Sequence, residues 1–459
     1  MATESYRLND DAMRRFIMDG YVTVKTDFPA SFHEKVYEKT QAMFEKVGNP
    51  GNNLLPRIPE LQQVFDHPAV HGALVSILGD DYYLHPHRHC HVNAPGSDDQ
   101  GMHKDSLHNS RFAVDGDHRH HRTRWAMAFY YPQDTPVVLG PTAIWPQSQY
   151  VNTQPSFGDD DELALAGEAG TVAIVHYDVF HRKMRNIGEK TRYMMKFLFT
   201  RMSEPQSPSW NSTDATWIPT DNPQERTWEH LWHWHLGTYE NGNRQNGTSK
   251  HVVLELTDKL GDESESVGID AAYQLGQAGA PAIHALMDAL KGEDEVVRRN
   301  GGYGFNTIGQ SAVPALVEAT QDADERVQMR SVDALGDMGL SAQDAVPALI
   351  ERLTDESEHV RSHAAEALGT TSQLSDSAVA PLVETLQDEK DLVRRNAALS
   401  LARIGSHASA AVPALFHALH DGNHFVRAFS LHALRRINTP ESTEVMLDYL
   451  QSVRWCPSH

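Results

Sequence analysis

The apolar positions of this chain change their spacing twice. In residues 8–80 they recur at helical intervals: Asn9 and Asp10 precede a run through Met13, Phe16 and Ile17, and Gly20 ends it. Two more helices are expected, over about residues 31–46 and 67–78, the last stopped by Gly79. Tyr21-Val-Thr-Val-Lys25 alternates already, and from residue 82 to 201 alternating or short apolar runs rich in β-branched and aromatic residues predict strands divided by Gly, Pro, Asn and Asp turns. Residues 203–250 shift to Pro, Ser, Asn and Trp, with Thr227-Trp-Glu-His-Leu-Trp-His-Trp-His-Leu-Gly237 predicting a short amphipathic docking helix whose Trp228, Trp232 and Trp234 are buried. From residue 251 the helical spacing returns and repeats itself. Pro281-Ala-Ile, Pro314-Ala-Leu, Pro347-Ala-Leu, Pro381-Leu-Val and Pro413-Ala-Leu each open an apolar helix. An acidic turn and a second helix follow each, centred on Val297, Val327, Val360, Val393 or Val426, with a degenerate first unit at Val267. Gly309, Gly339, Gly369 and Gly405 are expected to close second helices. The chain therefore reads as multidomain: an all-β domain with flanking helices over 1–202, a Trp-rich linker over 203–250, and an all-α array over 251–459.

Candidate chemistry begins at Gly101-Met-His103-Lys-Asp105-Ser-Leu-His108. On a strand, the side chains of His103 and Asp105 would leave one face together and could grip one ion. A single distant His would complete the two-His, one-carboxylate set that binds Fe(II) while leaving coordination positions open. A lone His-x-Asp is common on surface loops, so its context matters. That context is Glu168-Ala-Gly170-Thr-Val-Ala-Ile-Val-His176-Tyr-Asp-Val-Phe-His181, a Gly turn and an apolar run reading as a buried strand that ends in two histidines. His181 and His176 are the rival third ligands. An Asn- and Gly-bearing turn through Asn186 and Gly188 then leads to Arg192 and another strand, Tyr193-Met-Met-Lys-Phe-Leu-Phe199.

Together, the His-x-Asp pair, the Gly-led strand ending in His, Asn five residues beyond that His and Arg eleven beyond it resemble the phytanoyl-CoA dioxygenase family of non-haem iron, 2-oxoglutarate-dependent oxygenases. The opening helix and strand are similar to that family's. The resemblance implies a double-stranded β-helix, or jelly roll, with the metal inside the barrel mouth. It implies His103, Asp105 and His181 as ligands of Fe(II), 2-oxoglutarate as co-substrate, and Arg192 as the partner of its distal carboxylate, a role that suits a planar guanidinium. The implied activity is that of an oxidoreductase, hydroxylating a small organic substrate while 2-oxoglutarate is decarboxylated to succinate. Residues 132–149 resemble the family's strand and turn, with Leu139 in place of the usual Asn and Gln147 in place of the usual Gly. Arg182-Lys183 stands where many relatives carry Gly-Ser. Asp105 argues against the halogenating members, in which a small residue replaces the carboxylate. The array, with its period of 30 to 34 residues, resembles HEAT repeats, which implies a solenoid whose helix pairs bury their apolar faces against one another. The alternative function is a HEAT-repeat scaffold or adaptor whose jelly roll binds metal or ligand without turnover.

Charge narrows the partners. Of the formal net charge of −22, residues 251–459 carry −15, from 31 acidic and 16 basic side chains. Such a surface repels phosphate backbones, so the array is expected to meet a protein partner or a second copy of itself and no nucleic acid. A local basic cluster of Arg111, Arg119, Arg122 and Arg124 with His118, His120 and His121 surrounds the hairpin signal Asp115-Gly116. It is either a solvated tip or a clamp for an anionic small-molecule substrate. His85, His87, His89 and His91 share one strand register and would line the pocket, serve the sheet, or hold a second metal. Only Cys90 and Cys456 occur, so no disulfide framework is expected. With no run long enough to span a membrane and no apolar leader, a cytoplasmic location without a membrane partner is expected.

Overall fold

A computed structural model describes residues 4–108, 121–153, 161–238 and 249–453. The chain divides into two compact units, Met1–Ile218 with His235–Gly237, and Pro219–Trp234 with Thr238–His459.

Among the described residues the first unit holds eight strands: β1 Tyr21–Lys25, β2 Tyr83–Asn93, β3 Trp125–Tyr130, β4 Thr142–Ile144, β5 Leu163–Ala164, β6 Thr171–His176, β7 His181–Lys183 and β8 Arg192–Thr200. They form a five-stranded sheet ordered β1-β6-β3-β8-β2 and a three-stranded sheet ordered β5-β4-β7. Every pairing is antiparallel. With helices flanking, this is the expected jelly-roll arrangement. The central strands β3, β6 and β8 are buried at every residue, which is why their sequences are largely apolar and do not alternate. Helix Glu60–Asp66 covers β8, with the Phe65 ring 4.2 Å from that of Phe197 and 5.7 Å from that of Phe199. Each such ring withdrawn from water contributes roughly 1.5–3 kcal/mol.

The flanking helices form where periodicity and caps place them. Asn9 accepts from the Ala12 amide at the start of Asp10–Asp19, and Gly20 ends that helix in the left-handed region at φ 79°. Helices Ala30–Val47 and Pro68–Leu78 match the other expectations. Leu54–Arg57 and Glu60–Asp66 were not foreseen, because runs of one or two turns are too short to show a period. In the turn after β4, Gln147 takes φ 66°, and its amide donates to Asp19 O at 3.3 Å.

Asp10, at the first turn of its helix, fastens the later segment of the unit. It accepts from Trp210 Nε1 at 2.7 Å, Thr213 N at 2.8 Å and Asp214 N at 2.9 Å. Burial alone would raise its pKa, but these donors hold it down to about 2. A folded-state pKa below the unfolded value of about 3.9 means that the stabilisation is complete above that value and is lost as pH falls through about 2. Asp10→Asn is therefore expected to destabilise the first unit by about 2 kcal/mol at pH 7 and by much less near pH 2. Urea unfolding at the two pH values checks this, and an equal loss at both would refute it.

In the second unit, helix pairs repeat. Ile283–Lys291 precedes Glu295–Ile308, Val313–Ala319 precedes Glu325–Met338, Val346–Arg352 precedes Glu358–Thr371, Val379–Thr385 precedes Asp391–Ile404, and Val412–Ala418 precedes His424–Ile437. Val327, Val360, Val393 and Val426 are buried as expected. Neighbouring units are pinned by matching forks: Arg361 Nε donates to Asp388 Oδ2 and Arg394 Nε to Asp421 Oδ2, each at 2.7 Å. Gly309, Gly339 and Gly405 end their helices at positive φ. Gly369 does not: it lies inside Glu358–Thr371, where a Cβ would collide with Ser400, so it serves close helix packing and not termination. The helix Glu225–His235 carries Trp228, Trp232 and Trp234, all essentially inaccessible to solvent, and within this unit Arg226 pairs with Asp270 at 3.5 Å. Among the described residues no helix is long and apolar enough to cross a membrane.

Candidate metal centre

His103, Asp105 and His181 converge in the first unit, their ligand atoms all lying within 4.8 Å of one another. The route is not the one expected. His103 belongs to no strand; it makes a single antiparallel bridge with His181, with N–H to O distances of 3.0 and 2.9 Å. Asp105 opens the one-turn helix Asp105–His108, so the strand-alternation argument for this pair is wrong. The bridge sets the two imidazoles side by side, ring centroids 4.5 Å apart, and the helical turn carries the carboxylate to them. Lys104 between them is buried elsewhere, its ammonium 2.7 Å from Ser148 O and 4.6 Å from the Phe180 ring centre, which anchors the loop.

Hydrogen bonds fix both rings. His103 Nδ1 is 2.9 Å from Gly101 O, and His181 Nδ1 is 3.1 Å from Val179 O. A carbonyl only accepts, so each Nδ1 carries the proton and each Nε2 lone pair is left for a ligand. Those Nε2 atoms lie 4.0 Å (His103) and 3.8 Å (His181) from the same Asp105 oxygen, Oδ1. Burial pushes His181 down to about 4, despite Asp105, so the ring is neutral at pH 7. Burial would raise Asp105, but the Lys196 ammonium first, then His181, hold it far below the usual carboxylate range. The donor set is thus two imidazole nitrogens and one carboxylate. His176, the rival, ends β6, and a turn separates it from His181, which starts β7 in the other sheet. Its Nδ1 accepts from Asp178 N at 3.2 Å, its ring packs 5.7 Å from that of Tyr150, and it is not part of the convergent group.

A cavity opens over these groups, lined also by His91, Phe129, Thr142, Arg182, Lys183, Arg192, Met194 and Lys196. Arg192 is 1% exposed, and Gly140 O accepts from its Nε at 3.0 Å and its Nη2 at 2.8 Å, with His91 O 3.3 Å from Nη1. Main-chain acceptors use three of its five N–H groups, leaving two for a ligand. Gly140 makes this possible: at φ 64° its position admits no Cβ, which would strike Asn93 and the carbonyls of Met184 and Arg185. Arg182 is committed to Glu162, at 2.6 and 2.8 Å, and to Asp99.

Three expectations need correcting. The His ladder does not act as a unit, because β2 is irregular between Leu84 and Arg88 and resumes pairing with a shifted register. His85 is buried against Trp125, His89 meets the Asn49 side chain at 3.0 Å, and His91 alone lines the cavity. Crowding by protein, with Lys196, His89 and Arg192 nearby, pushes His91 well below its ordinary value. No second group of metal-ligating residues occurs among the described residues. Of the basic cluster, Arg122 and Arg124 are buried around Glu204, at 3.7 and 3.0 Å, and so are no surface clamp. Residues 111–120, with the Asp115-Gly116 signal, lie outside the described residues, as does Cys456. Lys196 was missed altogether. The signal was there: one lysine in a nine-residue strand buried along its whole length must have a partner.

Residues 304–369 and 379–455 match the family model for HEAT repeats. No curated protein matches the chain. Among solved structures, the chain is similar to the non-heme alpha ketoglutarate dependent carbocyclase SnoK from nogalamycin biosynthesis, at 16% identity and a TM-score of 0.35, over 43% of this chain and 85% of that one. It is similar to the non-heme monooxygenase ThoJ at 18% identity and a TM-score of 0.35, over 43% of this chain and 82% of that one. It is also similar to HygX from Streptomyces hygroscopicus, solved with nickel and 2-oxoglutarate bound, at 12% identity and a TM-score of 0.36, over 42% and 88%. These are distant likenesses.

Proposed function

We propose that the first unit is a non-haem Fe(II)- and 2-oxoglutarate-dependent dioxygenase of the phytanoyl-CoA dioxygenase type, acting on a small organic substrate. The observation that carries this reading is the convergence of two imidazole Nε2 atoms and one carboxylate within 4.8 Å, with both tautomers set by backbone carbonyls. Two imidazole nitrogens and one carboxylate oxygen suit Fe(II), and the hydrogen-bonded Nδ1 atoms are the outer support that such ligands need. When bound, Fe(II) would supply the coupling of 2-oxoglutarate decarboxylation to substrate oxidation.

The chain's own residues do the rest. His103, His181 and Asp105 Oδ1 hold the metal, while Lys196 engages Oδ2 and keeps the carboxylate turned with one oxygen forward. Arg192, already immobilised by Gly140 O, presents its remaining N–H groups to the distal carboxylate of 2-oxoglutarate, so that little side-chain freedom is lost on binding. Phe129 and Met194 supply apolar wall, which limits water beside the reacting groups.

The test is slow, substrate-free decarboxylation. Purified protein with Fe(II), O2 and 2-oxoglutarate is expected to release succinate above a metal-free control, and Asp105→Asn to remove that excess. No Fe(II)-dependent succinate from the wild type, together with no metal binding at the triad, would sink the reading.

A further inference from the structure

Against the single carboxylate of Asp105, the cavity sets four cations, Arg182, Lys183, Arg192 and Lys196, in a chain of net charge −22. Arg182 has its own acids, and Arg192 has main-chain acceptors. Lys196 is placed differently. Its side chain is 7% exposed, and Asp105 is its one ion-pair partner among the described residues. A buried ammonium is strongly disfavoured unless an anion compensates it. Asp105 does so only while its charge is unshared. Once Oδ1 ligates a divalent metal, that carboxylate lies between two cations, and the buried group as a whole is short of negative charge. Lys196 also lies on the same face of β8 as Arg192 and Met194, since alternate residues of a strand share a face.

We propose that Lys196 is a carboxylate anchor beside the metal position. In the metal-loaded protein its ammonium holds an anionic carboxylate, either the metal-proximal end of the 2-oxo acid or a carboxylate of the substrate. This rests on the metal reading of His103, Asp105 and His181.

The experiment uses the full chain and binding, with no turnover. Mn(II) is titrated by calorimetry into wild type, Lys196→Met and Lys196→Arg, then 2-oxoglutarate into each protein saturated with Mn(II) under argon, then acetate into the doubly loaded protein. Lys196→Met is expected to weaken 2-oxoglutarate binding to the Mn(II)-saturated protein by about tenfold or more, over and above any change in Mn(II) affinity, as loss of a charge-assisted pair should, and Lys196→Arg to retain most of the affinity. Unchanged 2-oxoglutarate binding with loss of the acetate binding seen in wild type also supports the anchor and assigns it to the substrate. If neither anion's binding changes, or if weaker Mn(II) binding is the sole effect, including a Met variant that no Mn(II) concentration saturates, Lys196 only orients Asp105 and the proposal is overturned. A wild type without Mn(II) binding sensitive to His103→Ala overturns the reading of the site itself, and this inference with it.

Discussion

His181→Ala is expected to weaken Fe(II) or Mn(II) binding by at least about 100-fold and to abolish Fe(II)-dependent succinate release, with the fold retained. Supporting residues around metal sites already contribute 10–100-fold, and this change removes one of three ligands outright. The fold should survive because the ring is not part of the sheet core. It lies tilted beside the His103 ring and 6.2 Å from Phe129 at the cavity wall, while the bridge between residues 103 and 181 is made by main-chain atoms that alanine keeps. His103→Ala should behave alike. Asp105→Ala should cost stability as well, about 3 kcal/mol or more, because the Lys196 ammonium loses its partner while still buried. Asp105→Asn separates the two effects by keeping the side-chain shape. His176→Ala is the control: its ring packs on Tyr150 away from the group, so metal affinity should not change. Turnover retained by His181→Ala and lost in His176→Ala would show that the third ligand is misassigned.

Arg192→Ala is expected to raise the 2-oxoglutarate concentration needed for half-saturation by roughly 30-fold or more, the equivalent of about 2 kcal/mol at the low end for a buried charge-assisted pair. A second consequence is structural. Gly140 O loses two of its donors and His91 O loses one, so melting temperature should also fall. Arg192→Lys distinguishes charge from shape, since lysine restores the cation but not the fork, and its affinity should lie between the two. The measurements are 2-oxoglutarate binding to Mn(II)-loaded protein and the apparent KM for decarboxylation. An unchanged affinity in Arg192→Ala would remove this residue from the site.

Most of the fold was legible along the chain because it depends on neighbours in sequence. The opening helix follows from Asn9, the apolar positions 13, 16 and 17, and Gly20. The repeats follow from a period recorded five times over. The resemblance that brought His103, Asp105, His181 and Arg192 forward also depended on spacing along the chain, and the structure lines one cavity with all four.

What spacing could not express is how residues far apart in sequence meet. His103 and Asp105 meet His181 because of a bridge between residues 103 and 181 and a single helical turn, and no strand periodicity encodes either. The His ladder looked uniform until the irregularity of β2 shifted its register, which only pairing with β8 reveals. Gly369 lies inside Glu358–Thr371 and faces Ser400 across a helix contact, whereas Gly405 follows the last residue of Asp391–Ile404 and ends it; which glycine of a repeat packs and which terminates is settled only when the helices are placed. Lys196 shows the same limit most clearly. Its sequence context reported burial, but the carboxylate that makes burial tolerable comes from 91 residues away, and only the tertiary structure brings that charge to it.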